Sequence, residues 1–115
     1  MEEIQSYLEG KWVSGEGPMS DLLNPTNEEV VATTSTRGLD FQAALAYARD
    51  SGGQALRAMT FAERGAMLRA LSEAVVASRN ELLDLSMVNN GATRSDAKFD
   101  VDGASFTLAA YADLG

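Results

Sequence analysis

Between Thr60 and Asn89 the apolar positions repeat with the period of a helix. Phe61, Leu68, Leu71, Val75, Leu82 and Leu85 fall at alternating three- and four-residue spacings, with Arg64 and Ser78 at the two gaps. That pattern predicts one apolar helix face. Thr60 and Glu63 stand in the spacing of a capping box, where each side chain takes an amide that the first turn leaves free. Asn89, Asn90 and Gly91 supply the stop, because both residue types tolerate left-handed backbone. Gly65 costs about 1 kcal/mol against alanine, too little to overturn the pattern. One helix over 60–89 is therefore predicted, a rod of roughly 45 Å. A compact domain of 115 residues would be about 34 Å across. The rod outruns the globule, as if the helix lay against more protein than the chain contains.

Ahead of this helix the pattern shortens. Tyr7, Trp12 and Val13 favour extended backbone and Gly10 permits a turn, so 6–13 reads as strand, turn and strand. Residues 1–5 are expected to be loosely held. Ser14 to Pro18 is a loop by composition. Its two glycines invite a phosphate-cradle reading, but no strand leads directly in and no helix opens behind, so a plain surface loop is expected. Residues 21–24 lead into a turn at Pro25–Glu28, and the β-branched run 29–36 is a strand. The first third is thus expected to be a small antiparallel meander that needs a helix or another chain across its face.

Asp40 is a plausible N-cap for a helix over 41–48, with Phe41, Leu45 and Ala48 as its buried stripe. Ser51, Gly52 and Gly53 are expected to break that helix, and 54–59 to form a short helical link. Beyond Gly91 a loop leads into a last helix, where Phe99, Gly103, Phe106 and Ala110 share a face whose small residues would allow close packing. The chain stops at Leu114–Gly115 with no polar tail, as expected more readily of a cut fragment than of a natural end. No repeat of 20 to 50 residues is visible. The fold class is α+β: short antiparallel strands, then about three helices. The expected organisation is a single segment, 1–115, with the strand meander over 1–37 and helices over 38–115.

Composition narrows the function classes. An apolar fraction of 45% argues for a folded chain. Seventeen acidic and nine basic side chains give a net charge of -8, which argues against nucleic acid or an anionic membrane as partner. No apolar run approaches 18 residues, and a cytoplasmic chain is expected. There is no cysteine and no histidine, hence no thiol nucleophile, no thiolate metal site and no imidazole base. Arg57, Arg64 and Arg69 could be read as an anion site; pairing with Glu63, Glu73 and their neighbours on a solvated face is the favoured expectation. Asp96, Asp100 and Asp102 suggest calcium. Counted from Asp96, however, Lys98 takes the third position, Val101 the sixth and Thr107 the twelfth, where oxygen ligands and glycine belong. No catalytic, cofactor-binding or metal-binding residue is assigned.

Certain stretches carry a resemblance. Tyr7-Leu8-x-Gly10-x-Trp12, followed by Asn24-Pro25 and a β-branched strand, is similar to the amino-terminal end of aldehyde dehydrogenases. The runs ALRAMTFAERGAMLRAL and NNGATRSDAKFDVDGASFTLAAYADLG resemble the dehydrogenase domain of the ring-opening enzymes of aerobic phenylacetate breakdown and of their benzoyl-CoA-pathway relatives. The resemblance covers essentially the whole chain. It implies the amino-terminal part of an α/β dehydrogenase that oxidises an aldehyde, here a semialdehyde carried on coenzyme A, with NADP or NAD as acceptor. In that family a cysteine attacks the aldehyde and a glutamate activates water. Those residues and the cofactor's glycine turn are expected beyond Gly115, so this segment is implied to be scaffold packing on the nucleotide-binding domain, inert alone. Its expected partners are the remainder of the dehydrogenase or a second copy. The alternative is a free-standing acidic helical module that binds another protein.

Overall fold

The computed structural model describes residues 2–115. The chain divides into two compact units, one running to Leu56 and the other starting at Arg57.

The first unit holds five short strands: β1 (Glu2–Ile4), β2 (Ser6–Leu8), β3 (Lys11–Val13), β4 (Ser20–Leu23) and β5 (Val30–Thr34). The hairpin predicted over 6–13 is present, with Tyr7 opposite Trp12. Glu9 and Gly10 both take positive φ, 53° and 81°, the two-residue turn whose twist matches that of the flanking strands. The two rings meet edge-on with centroids 5.0 Å apart.

The antiparallel meander is corrected. β1 runs parallel to β5, which pairs antiparallel with β4, in the order β1-β5-β4, while β2 and β3 form a separate ribbon. A parallel pair needs a long connection, and the hairpin with β4 supplies it. Of the stretch expected to be loose, Met1 lies outside the described residues, whereas Glu2–Ile4 are held in register with Ala32–Thr34. β4 went unpredicted because Ser20 and Asp21 carry little strand preference; its pairing with β5 fixes it. The turn at Pro25–Glu28 forms as expected, the Asn24 and Asn27 side chains accepting from the amides of Thr26 and Glu29.

Asp40 caps α1 (Phe41–Tyr47), its carboxylate accepting from the Ala43 amide at 2.9 Å. The predicted break at Ser51–Gly53 does not occur. Helical backbone continues through one π-helical turn, Ala48–Gly52, into α2 (Gly53–Ala58). Glycine lowers helix preference by about 1 kcal/mol but remains compatible with the conformation, and Gly53 sits at φ -61°, ψ -40°. The expected buried stripe is also corrected: Phe41 and Leu45 are exposed.

The second unit consists of α3 (Phe61–Ala77), α4 (Arg79–Asn90) and α5 (Arg94–Asp113). The capping box at α3 is complete, with Glu63 N–H donating to the Thr60 hydroxyl at 3.1 Å and Thr60 N–H to the Glu63 carboxylate at 2.7 Å. Gly91 closes α4 in left-handed backbone, φ 72°. The single rod over 60–89 is corrected: Ser78, at φ -97° and ψ 12°, separates α3 from α4. Val75, Val76 and Ser78 lower helix preference locally. The Arg79 fork is then tied to Asp102 on α5, which fixes the first turn of α4. At 17 residues, α3 is roughly 26 Å long, short enough for a compact unit. The helix therefore does not outrun a compact globule.

Candidate functional site

The chemistry-bearing side chains of the second unit are spent on holding three helices together. Where α3 meets α5 the residues are small. An added Cβ at Gly65 would sit 2.8 Å from the Ala112 carbonyl oxygen, so only glycine allows this approach without displacement. Farther along, the buried Ser72 hydroxyl donates to the Ser105 carbonyl at 2.8 Å, and the Ser105 hydroxyl donates to the Asp102 carbonyl at 3.0 Å. Each buried hydroxyl is thus satisfied. Ala97 on α5 and Leu83 on α4 are both fully buried, at 0% exposure.

Ion pairs frame this seam. Arg79 grips Asp102 with two bonds of 2.7 and 2.9 Å, Arg94 meets Asp84 at 2.8 Å, and Arg69 pairs with Asp113 while donating to the Ala109 carbonyl. The Arg79 fork and the two single-nitrogen pairs join helix to helix rather than presenting cations to a ligand. The expected pairing of Arg57, Arg64 and Arg69 with Glu63 and Glu73 is corrected. Arg69 takes Asp113, Arg64 lies 4.7 Å over the Phe61 ring, and Glu63 serves the capping box. The Arg79 guanidinium, hydrogen-bonded to Asp102, holds that carboxyl below the ordinary carboxylate range. Glu63 is lowered by its hydrogen bonds to Thr60.

Asp96, Asp100 and Asp102 do not converge. Asp102 is tied to Arg79, and among the described residues no group of three acidic side chains is arranged to hold a metal. Nor do the glycines fit a nicotinamide nucleotide. The loop with Gly15 and Gly17 joins one strand to another and is pinned beside Ser35 and Arg37. Gly52 and Gly53 lie inside helical backbone. Neither pair opens a helix end toward a phosphate.

The large apolar side chains behave in the opposite way. Phe99 is 83% exposed, Phe106 72% and Phe61 74%, with Leu71 and Leu85 also bare. This corrects the expectation that the face of Phe99, Gly103, Phe106 and Ala110 packs closely, whereas the bare Phe61, Leu71 and Leu85 accord with a stripe left partly uncovered. At about 100° per residue, Phe99 and Phe106 lie roughly opposite Ala97, Ser105 and Ala112 on α5. An open groove of about 330 Å³ between α4 and α5 adds Leu82, Val101 and Ala104 to the uncovered apolar surface. The chain exposes 8180 Å² in all. The candidate site is therefore a surface, not a pocket: apolar, aromatic, and built on a seam that is already closed. The sequence did hold a signal for it, since Ala97, Ser105 and Ala112 recur at helical spacing on the side away from the phenylalanines.

Comparisons with known proteins agree on what the chain is similar to. The sequence model of the aldehyde dehydrogenase family matches residues 12–115. A 3,4-dehydroadipyl-CoA semialdehyde dehydrogenase from Aromatoleum evansii is 43% identical over 113 residues, covering 98% of this chain and 22% of the relative. A betaine aldehyde dehydrogenase from Bacillus subtilis is 30% identical over 113 residues, covering 94% of this chain and 23% of that protein. Among solved structures, a betaine aldehyde dehydrogenase from Staphylococcus aureus in complex with NAD+ superposes with a TM-score of 0.84 at 26% identity, over 96% of this chain and 23% of that one. An NAD-dependent benzaldehyde dehydrogenase from Corynebacterium glutamicum gives 0.83 at 26% identity, over 91% and 23%. The chain thus spans less than a quarter of the length of these proteins.

Proposed function

The chain belongs to the aldehyde dehydrogenase family, and from that premise we propose that it forms the amino-terminal scaffold of a cytoplasmic NAD- or NADP-dependent dehydrogenase acting on a semialdehyde carried on coenzyme A. The observation that carries this reading is the 43% identity to the 3,4-dehydroadipyl-CoA enzyme across nearly the whole chain. The scaffold's contribution is mechanical. Its capped helices and ion-paired seam hold an apolar surface ready for further dehydrogenase sequence to cover, and burial of each large side chain there would contribute about 1.5 to 3 kcal/mol. There is no cysteine here, so the family's nucleophile would come from sequence outside these 115 residues, where the resemblance also puts the water-activating glutamate. No step of the oxidation is routed through this chain's own side chains.

Two measurements test the reading. Alone, the chain is expected to oxidise no aldehyde and to bind NADP no more tightly than about 1 mM. Mixed with a polypeptide carrying the rest of the 3,4-dehydroadipyl-CoA enzyme, it is expected to restore nucleotide-dependent oxidation of the coenzyme A-bound semialdehyde. Tight nucleotide binding by the chain alone, or a remainder whose activity the chain leaves unchanged, would overturn the scaffold reading. The bare aromatic face also suits the alternative, a free-standing protein-binding module, and failure of complementation would favour it.

A further inference from the structure

Of the five asparagines in the chain, only Asn90 is followed by glycine. The pair forms the end of α4: Asn90 is its last helical residue, and Gly91 closes it in left-handed backbone at φ 72°. The Asn90 side chain folds forward over the peptide that follows it, its Oδ1 accepting from the Ala92 amide at 2.9 Å. That bond closes a short ring around the Gly91 nitrogen and draws electron density from Cγ, so the amide carbon is the more open to attack. Glycine puts no Cβ in the path. One bond holds the reaction back. The Gly91 N–H donates to the Met87 carbonyl at 3.2 Å, the long end of the ordinary range, and a nitrogen whose proton is held there is a poor nucleophile. Helix ends open more readily than interiors. We propose that Asn90–Gly91 is a self-modifying site, at which the Gly91 nitrogen attacks the Asn90 amide when the end of α4 opens. The proposal goes beyond the dehydrogenase reading and does not depend on it. Both reacting groups belong to adjacent residues, so it needs water but no partner surface.

The step consumes water alone. The Gly91 nitrogen gives its proton to solvent and bonds to Asn90 Cγ; the Cγ–Nδ2 bond breaks, and ammonia leaves with a proton from solvent. Water then opens the cyclic imide at either carbonyl. One product is aspartate; the other is isoaspartate, with the main chain rerouted through the side-chain carbon. Both place a carboxylate at the negative end of the α4 dipole, and Asp100 lines the same groove as Asn90. Isoaspartate also lengthens the main chain by one carbon, which pulls the Gly91 amide out of register with Met87. Modification thus loosens the cap that restrains it. Each other asparagine lacks a part of this arrangement. Asn24 precedes Pro25, whose nitrogen carries no proton. Asn27, Asn80 and Asn89 precede Glu28, Glu81 and Asn90, each of which sets a Cβ beside the attacking nitrogen.

Peptide mapping by mass spectrometry on the 115-residue chain, aged at mildly alkaline pH, tests this, with isoaspartate read by enzymatic methylation. Asn90 is expected to convert to a mixture of aspartate and isoaspartate while Asn24, Asn27, Asn80 and Asn89 stay amides. Unfolded in urea, the same chain should convert at Asn90 about 10- to 100-fold faster, roughly 1.4 to 2.7 kcal/mol. Hydrogen exchange at the Gly91 amide should show protection by the same factor, because both readings report one opening of the cap. Asn90→Gln, whose longer side chain closes the ring poorly, is expected to remain unmodified with helix content unchanged. An intact chain in which Asn90 is as inert as Asn89 overturns the proposal. Aspartate formed without isoaspartate also overturns it, since direct hydrolysis would then bypass the Gly91 nitrogen. Equal rates in the folded and unfolded chain would remove the cap as the gate and overturn it as well.

Discussion

The two sides of α5 reverse the usual relation between size and burial. Toward α3 and α4 it presents alanine and serine, and these are the buried positions; away from them it presents two phenylalanines, and these are bare. The inner side works by closeness. Small residues let backbones approach, the Ser72 and Ser105 hydroxyls are satisfied by carbonyls, and ion pairs close the rim. The outer side carries far more apolar area and puts none of it to use within the unit. Stability of the unit is thus set by one face, while the larger apolar area lies on the other, so the two can be broken separately.

The largest separation is expected between Leu83→Ala and Phe99→Ala. Leu83 is fully buried, and truncating it should cost about 2 to 5 kcal/mol in chemical denaturation. Phe99→Ala removes a larger side chain, yet should stay within about 0.5 kcal/mol of wild type when measured on the dilute monomer. Equal losses would mean that the outer face is packed after all.

Next in size is Gly65→Leu. Its new side chain must displace the Ala112 carbonyl, at a cost of about 1 to 3 kcal/mol, even though leucine is the better helix former. A gain in stability would show that α3 and α5 are not in close contact.

Smaller again is Ser72→Ala, expected to lose about 1 kcal/mol with the buried hydroxyl bond. An unchanged midpoint would assign that bond no net value.

How much of this was legible follows the same division. Local rules placed the capping box at Thr60, the Asp40 cap, the glycine stop and the Tyr7–Trp12 hairpin, because each depends on residues within a few positions of one another. Long-range pairing was not legible. β1 joins β5 across the intervening hairpin, β4 exists only because β5 pairs with it, and Ser78 ends α3 where Arg79 is tied to Asp102. The phenylalanine face of α5 misled for the same reason: periodicity identifies a face, but only tertiary contact decides which of two faces is covered. The small residues Gly65, Ala97, Ser105 and Ala112 marked the covered one. No catalytic or cofactor residue was assigned from the sequence, and function became legible through resemblance alone.

The smallest expected effect is one of pH. Asp102 and Glu63 have folded values below their ordinary 3.8 and 4.5. Both therefore contribute stability that is fully present above about pH 5 and lost as pH falls through the folded values. Denaturation midpoints between pH 6 and roughly 3 should fall less steeply for Asp102→Asn than for wild type, after correction for its lower starting stability. Parallel profiles would remove Asp102 from the acid response.

One measurement reaches both faces at once. In a Trp12→Phe background, Phe99→Trp places the sole indole on the outer side of α5. The expected emission in dilute solution is the red-shifted, freely quenched one of a solvated indole. A blue-shifted, protected indole at every dilution would show the face covered within the single chain and contradict the account.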